Sequence, residues 1–128
     1  MDGRWKWAVV MAVSLSLGEV SAQGPDLHRV MRKKLEHSQK ILEAVVTSNW
    51  VALETHSREL EELTNDPGWK VLNSPEYARQ SLAFKQAVRE LHDAAARREL
   101  DATPLAYVAV TLSCVQCHRS LARARIAK

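Results

Sequence analysis

From Pro25 onward the chain lacks the apolar–polar alternation of β-strands, and only Pro67, Gly68, Pro75 and Pro104 interrupt it. A chain so rarely broken, with apolar residues recurring every three or four positions, is restricted to helices. The first predicted helix opens at Pro25 and runs to about Ser48, with Leu27, Val30, Met31, Leu35, Ile41, Leu42, Val45 and Val46 along one stripe. Asn49 is a cap for a second helix beginning at Trp50, with Leu53, Leu60 and Leu63 inward. Asn65-Asp66-Pro67-Gly68 ends it with turn chemistry, and a short irregular link carries Trp69, Val71 and Leu72. Ser74 then caps a third helix, with Pro75 in its first turn and Glu76 placed well for the helix dipole. Tyr77, Phe84, Val88 and Leu91 face inward, and the helix reaches about Glu99. Thr103-Pro104 repeats the cap-then-proline start for a fourth, whose expected core stripe is Leu105, Val108, Leu112 and Val115. Short links between four helices predict an all-α, antiparallel up-down-up-down four-helix bundle. Trp50 and Trp69 are expected to cover the ends of its core.

The fourth helix also carries the only two cysteines of the chain, in the run Cys114-Val115-Gln116-Cys117-His118. Residues three and four apart share a helical face, so one turn offers two thiols and an imidazole to the same flat object. Cys-x-x-Cys-His is the attachment signature of c-type haem. The thiols bond to the porphyrin and the imidazole ligates iron from one side. The other readings of such a pair fit less well. A thioredoxin-like motif needs a preceding strand. A structural zinc needs four ligands, two of which other histidines would have to supply. A disulfide three residues apart in a helix has poor geometry. Tyr107, Val110, Thr111, Leu121 and the motif form a second face of this helix, so Tyr107 and Thr111 are expected to line the ring or its propionates; a core role for Tyr107 is the alternative.

The N-terminus reads as a secretory leader over residues 1–22. Arg4 and Lys6 precede the apolar run Ala8 to Leu17, and Val20-Ser21-Ala22 gives small residues for cleavage. The run is shorter than the roughly 20 residues of a membrane span. The expected mature domain is therefore residues 23–128, periplasmic or otherwise exported. The chain carries a net charge of +3, and without a concentrated basic face there is no case for nucleic acid. Arg119, Arg123, Arg125 and Lys128 suit a solvated helix terminus.

An all-helical exported chain with this motif in its last helix resembles the class II c-type cytochromes, cytochrome c prime and its low-spin relatives. The resemblance spans the mature chain, and its specific part is Cys114, Cys117 and His118. It implies one covalent haem c, with His118 as proximal iron ligand and a first-helix residue on the distal side. Met31, the only methionine after the leader, is the candidate sixth ligand; Leu35 in that place leaves iron five-coordinate, and His28 would give two histidine ligands. His37 lies farther from the stripe. Relatives often carry Arg four residues before the distal position, where this chain has Leu27; Arg29 and Arg32 flank Met31 instead, and Arg32 is counted among the cofactor-lining residues. The link between the second and third helices is also shorter. Homodimers through the helices and redox partner proteins complete what the resemblance implies.

Function follows from the iron. Electron transfer by Fe(III)/Fe(II) cycling is the leading expectation, and no enzymatic role is needed for it. Binding of a diatomic gas such as nitric oxide is the alternative, at a five-coordinate iron under Leu35, Leu42 and Val45. Catalysis would want a distal base or arginine, for which His56 and His92 are candidates only by their type.

Overall fold

A computed structural model describes residues 23–126 apart from residue 71; the leader reading of residues 1–22 lies outside them. The described residues form four α-helices and no strand, consistent with a helical bundle: α1 (Gln23–Thr47), α2 (Trp50–Glu62), α3 (Pro75–Ala96) and α4 (Ala102–Ile126). Two 3-10 turns, Leu63–Asn65 and Pro67–Trp69, follow α2.

The helix boundaries have local causes. Beyond α1, Ser48 takes a left-handed backbone (φ 52°), and Asn49 N–H reaches back 2.9 Å to the Ala44 carbonyl. That satisfies a carbonyl left over at the helix end. Asn49 then caps α2, its Oδ1 accepting from Ala52 N–H at 3.1 Å. After α3 the device recurs, with Arg98 at φ 54° and Glu99 N–H donating to Ala94 O at 3.1 Å. This stop shortens α3 to Ala96 from the expected Glu99. Ser74 caps α3 by accepting from Tyr77 N–H. Thr103 does not cap α4: its hydroxyl donates back to the Glu99 carbonyl at 2.7 Å, and the helix begins at Ala102.

Each helix packs chiefly on its neighbour in the chain, α1 on α2, α2 on α3 and α3 on α4, whereas α1 and α4 meet sparsely. The core is built from Val30, Ile41, Leu53, Leu60, Phe84, Val88, Leu91 and Val110. Trp69 is buried, and Trp50 packs against the core half-buried.

Two expected stripes are corrected. On α1, Leu35, Leu42 and Val46 are exposed, while Lys34 and Ala44 are buried. On α4 Leu105, Val108, Leu112 and Val115 are exposed, Leu105 to 71%. The packed side runs instead through Ala106, Tyr107, Ala109, Val110, Ser113 and Cys114. The reason is steric. α3 meets α4 with Ala87, Ala94 and Ala95 buried on α3, and small residues on both helices let the backbones approach closely.

The link after α2 is pinned to the start of α1. Arg29 makes a forked pair with Asp66, 2.8 and 3.0 Å, and Asp66 Oδ1 also accepts from Gly68 N–H at 2.8 Å. The Arg29 guanidinium and the Gly68 amide hold the Asp66 carboxyl below the ordinary carboxylate range. Gly68 itself lies so close to α1 that a Cβ there would stand 2.9 Å from the Asp26 carbonyl oxygen.

A candidate cofactor cleft between the first and last helices

The sparse contact of α1 with α4 leaves room. One cavity of about 430 Å³ is lined from α1 by His28, Met31, Arg32, Lys34, Leu35 and Ser38, and from α4 by Tyr107, Val110, Thr111, Cys114, Val115 and His118. A second, about 450 Å³, lies among α1, α3 and α4, with Leu27, Met31, Lys34, Trp69, Tyr77, Phe84, Cys117, His118 and Leu121 in its wall. Each has the size of a small-molecule site. They adjoin along Met31, Lys34 and His118, as two lobes of the space beside α1 and α4.

The residues expected to hold and line a haem border this cleft. Cys114, Leu35, Arg32, Tyr107 and Thr111 border the first lobe, Cys117 borders the second, and Met31 and His118 border both. His28 borders the first. Leu42 and Val45, expected in an apolar distal wall, line neither lobe. His56 and His92 are likewise elsewhere.

The second lobe is closed by an aromatic wall. Trp69 and Phe84 stack with centroids 5.3 Å apart. Trp69 is fixed through its indole N–H, which donates to Ser81 Oγ at 3.2 Å, and through its carbonyl, which accepts from the Tyr77 hydroxyl. The first lobe is bounded by a hydrogen bond that crosses from α4 to α1, Tyr107 O–H to the Ser38 carbonyl at 3.0 Å. Near the motif, Gln80 of α3 donates to Ser120 of α4 at 3.3 Å.

Lys34 is the residue that sequence patterning missed. Its side chain is 6% exposed, with Nζ 3.5 Å from the Phe84 ring centroid and 4.8 Å from that of Trp69. The available signal was its register, three residues after Met31 and four after Val30; its charge removed it from an apolar stripe. Burial pushes the Lys34 amine down, against the pull of nearby Cys114 and Cys117. Burial pushes the Cys117 thiol up, and Lys34 opposes that shift. Tyr77 and Tyr107 are both raised, in each case mainly by burial.

Cys114 and Cys117 are free thiols, each half-buried. Cys114, Cys117 and His118 do not form a trio whose donor atoms all lie within 4.8 Å of one another. Donors spread along a helix face in this way suit a broad, flat group gripped at several points better than a single tetrahedral ion. Comparison with family models, with curated proteins and with solved structures gives no match to this chain.

Proposed function

We propose that this chain is an exported monohaem c-type cytochrome that transfers electrons, in the manner of the class II cytochromes it resembles. One observation carries the reading. The two thiols of Cys114-x-x-Cys117-His118 border the two adjoining lobes, and His118 from α4 and Met31 from α1 border both. This supports a flat group held by the two thiols and reached from α4 by His118 and from α1 by Met31.

When bound, haem supplies one-electron Fe(III)/Fe(II) chemistry. The chain's own part is to hold and insulate it. Cys114 and Cys117 would hold the group through thioethers, and His118 and Met31 would be the ligands to its iron. A soft thioether sulfur favours the ferrous state and raises the potential. Trp69, Phe84 and Leu35 would screen the group from water, and Arg32, Tyr107 and Thr111 border the first lobe, where they could meet the group's carboxylates. No catalytic group is needed. The short links and the chain-neighbour packing support an antiparallel up-down-up-down order. Redox proteins are the partners, and the aliphatic row that α4 turns outward supports self-association of the kind seen in class II relatives.

The test is expression in a host that matures c-type cytochromes. Haem should resist acid–acetone extraction and add one haem to the mass of the leader-cleaved chain. The ferric protein should be low-spin, with the near-infrared charge-transfer band of methionine ligation, and Met31→Ala should abolish that band. An unmodified mass removes the proposal. Covalent haem that is high-spin, and that binds carbon monoxide as fast in wild type as in Met31→Ala, moves the function to gas binding.

A further inference from the structure

A second group of ligating side chains lies on a different face of α1. His37 of α1 meets His56 and Glu59, which stand three residues apart on one face of α2. None of the three lines the cleft. His37 Nδ1 and His56 Nδ1 are 3.2 Å apart, and Glu59 Oε2 lies 3.1 Å from each. Among the described residues this is the only trio of histidine, cysteine or acidic donors so close together.

We propose that His37, His56 and Glu59 bind one divalent transition-metal ion of the zinc and copper kind. The nearly equilateral triangle has the edge lengths such an ion needs. A point about 2.0–2.1 Å from all three atoms lies roughly 1 Å off their plane and sees them about 100° apart, between octahedral and tetrahedral angles. No large movement is therefore required to load it.

Protons cannot satisfy the same triangle. If both Nδ1 atoms carry hydrogen, two N–H groups confront each other at 3.2 Å. If one carries hydrogen, the other nitrogen and the carboxylate oxygen turn lone pairs toward each other at 3.1 Å, or the two imidazoles pair and one carboxylate contact is left unbonded. In every arrangement one edge is frustrated. A cation above the centre relieves all three edges, because each of the three atoms can then offer it a lone pair.

The donor set selects the ion. Two imidazoles and one carboxylate suit zinc and copper, whereas magnesium and calcium prefer shells made mainly of oxygen. The side chains are 19%, 25% and 41% exposed, so water can complete the coordination. The adjoining groove adds the Glu62 carboxylate, opposed by Lys33, while the Asp66 carboxylate there is held by Arg29.

Zinc titrated into the full chain, as purified from the cytochrome-maturing host, tests this by calorimetry and metal analysis. Any zinc held by free thiols appears equally in wild type and variants, so failure of the haem reading does not disturb the comparison. Wild type should bind one equivalent more than His37→Gln or Glu59→Gln, or bind it on the order of tenfold or more tightly. Zinc should raise the thermal midpoint of wild type more than that of either variant, while the helical circular dichroism of the metal-free variants matches that of wild type. Equal stoichiometry and affinity in wild type and both variants overturns the proposal, as does equal competition by magnesium or calcium.

Discussion

Lys34 is an ammonium placed where an aliphatic side chain would pack without cost. Its contact with the Phe84 ring returns part of the lost hydration, since a cation over an aromatic face is worth about 0.5–2 kcal/mol. Losing hydration costs more, which is why burial depresses its folded-state pKa. Lys34→Met should therefore stabilise the chain at pH 7, by about 1–2 kcal/mol. The sign with pH is fixed. Between the folded pKa and the unfolded value of about 10.4, the unfolded chain binds more protons, so this residue's penalty fades as pH rises through that window. The stability difference between wild type and variant in urea titrations should therefore be smaller at pH 10 than at pH 7. Met31 was legible because sulfur on an apolar stripe obeys the stripe's period. Lys34 was not, because a pattern read from hydrophobicity excludes a lysine whose hydrocarbon stem and aromatic neighbours take it inside.

At the scale of elements, the large residues of α3's buried face are legible in the sequence, its buried alanines Ala87, Ala94 and Ala95 are not, and for α4 the period points to the wrong face. The difference is in the residues. On α3, Tyr77, Phe84, Val88 and Leu91 stand out against charged neighbours, so one face is marked. α4 is apolar on nearly every side over its first half, and period alone cannot then choose a face. Small residues decided it, by allowing a close approach that leucines would prevent. The motif nevertheless came out on the cleft side, because its own three-four spacing fixed which residues share a turn. The link of 3-10 turns was legible as turn chemistry, while its attachment to α1 was not, since nothing local announces that Arg29 will reach Asp66. That attachment depends on Gly68. Gly68→Ala would drive a methyl group against the Asp26 carbonyl and Val30, and should cost about 1–3 kcal/mol in urea unfolding. Glycine matters here for space and not for backbone sign, since no glycine among the described residues has a positive φ.

Across the whole molecule, the number of helices and their links could be counted from Asn49, Ser74 and the Asn65–Gly68 turn. The gap between first and last helices could not, because it is a property of how four cylinders close and belongs to no single segment. The gap has a kinetic consequence. Packing between chain neighbours is cheap to reach, as each new helix folds onto the one just made and closes a short loop. Chains with such low contact order fold in microseconds to milliseconds. Joining the two ends of the sequence is the remaining slow-entropy step, and the Tyr107–Ser38 hydrogen bond, 69 residues apart in sequence, belongs to it. Tyr107→Phe should accordingly leave the refolding limb of a stopped-flow chevron unchanged and speed unfolding about fivefold, the effect of one hydrogen bond of about 1 kcal/mol. A slowed refolding limb would mean that the ends meet early. If they meet late, the chain passes through a state in which the last helix is already formed on the third while its two thiols still face open water, and a modifying enzyme would find them there before the first helix closes over.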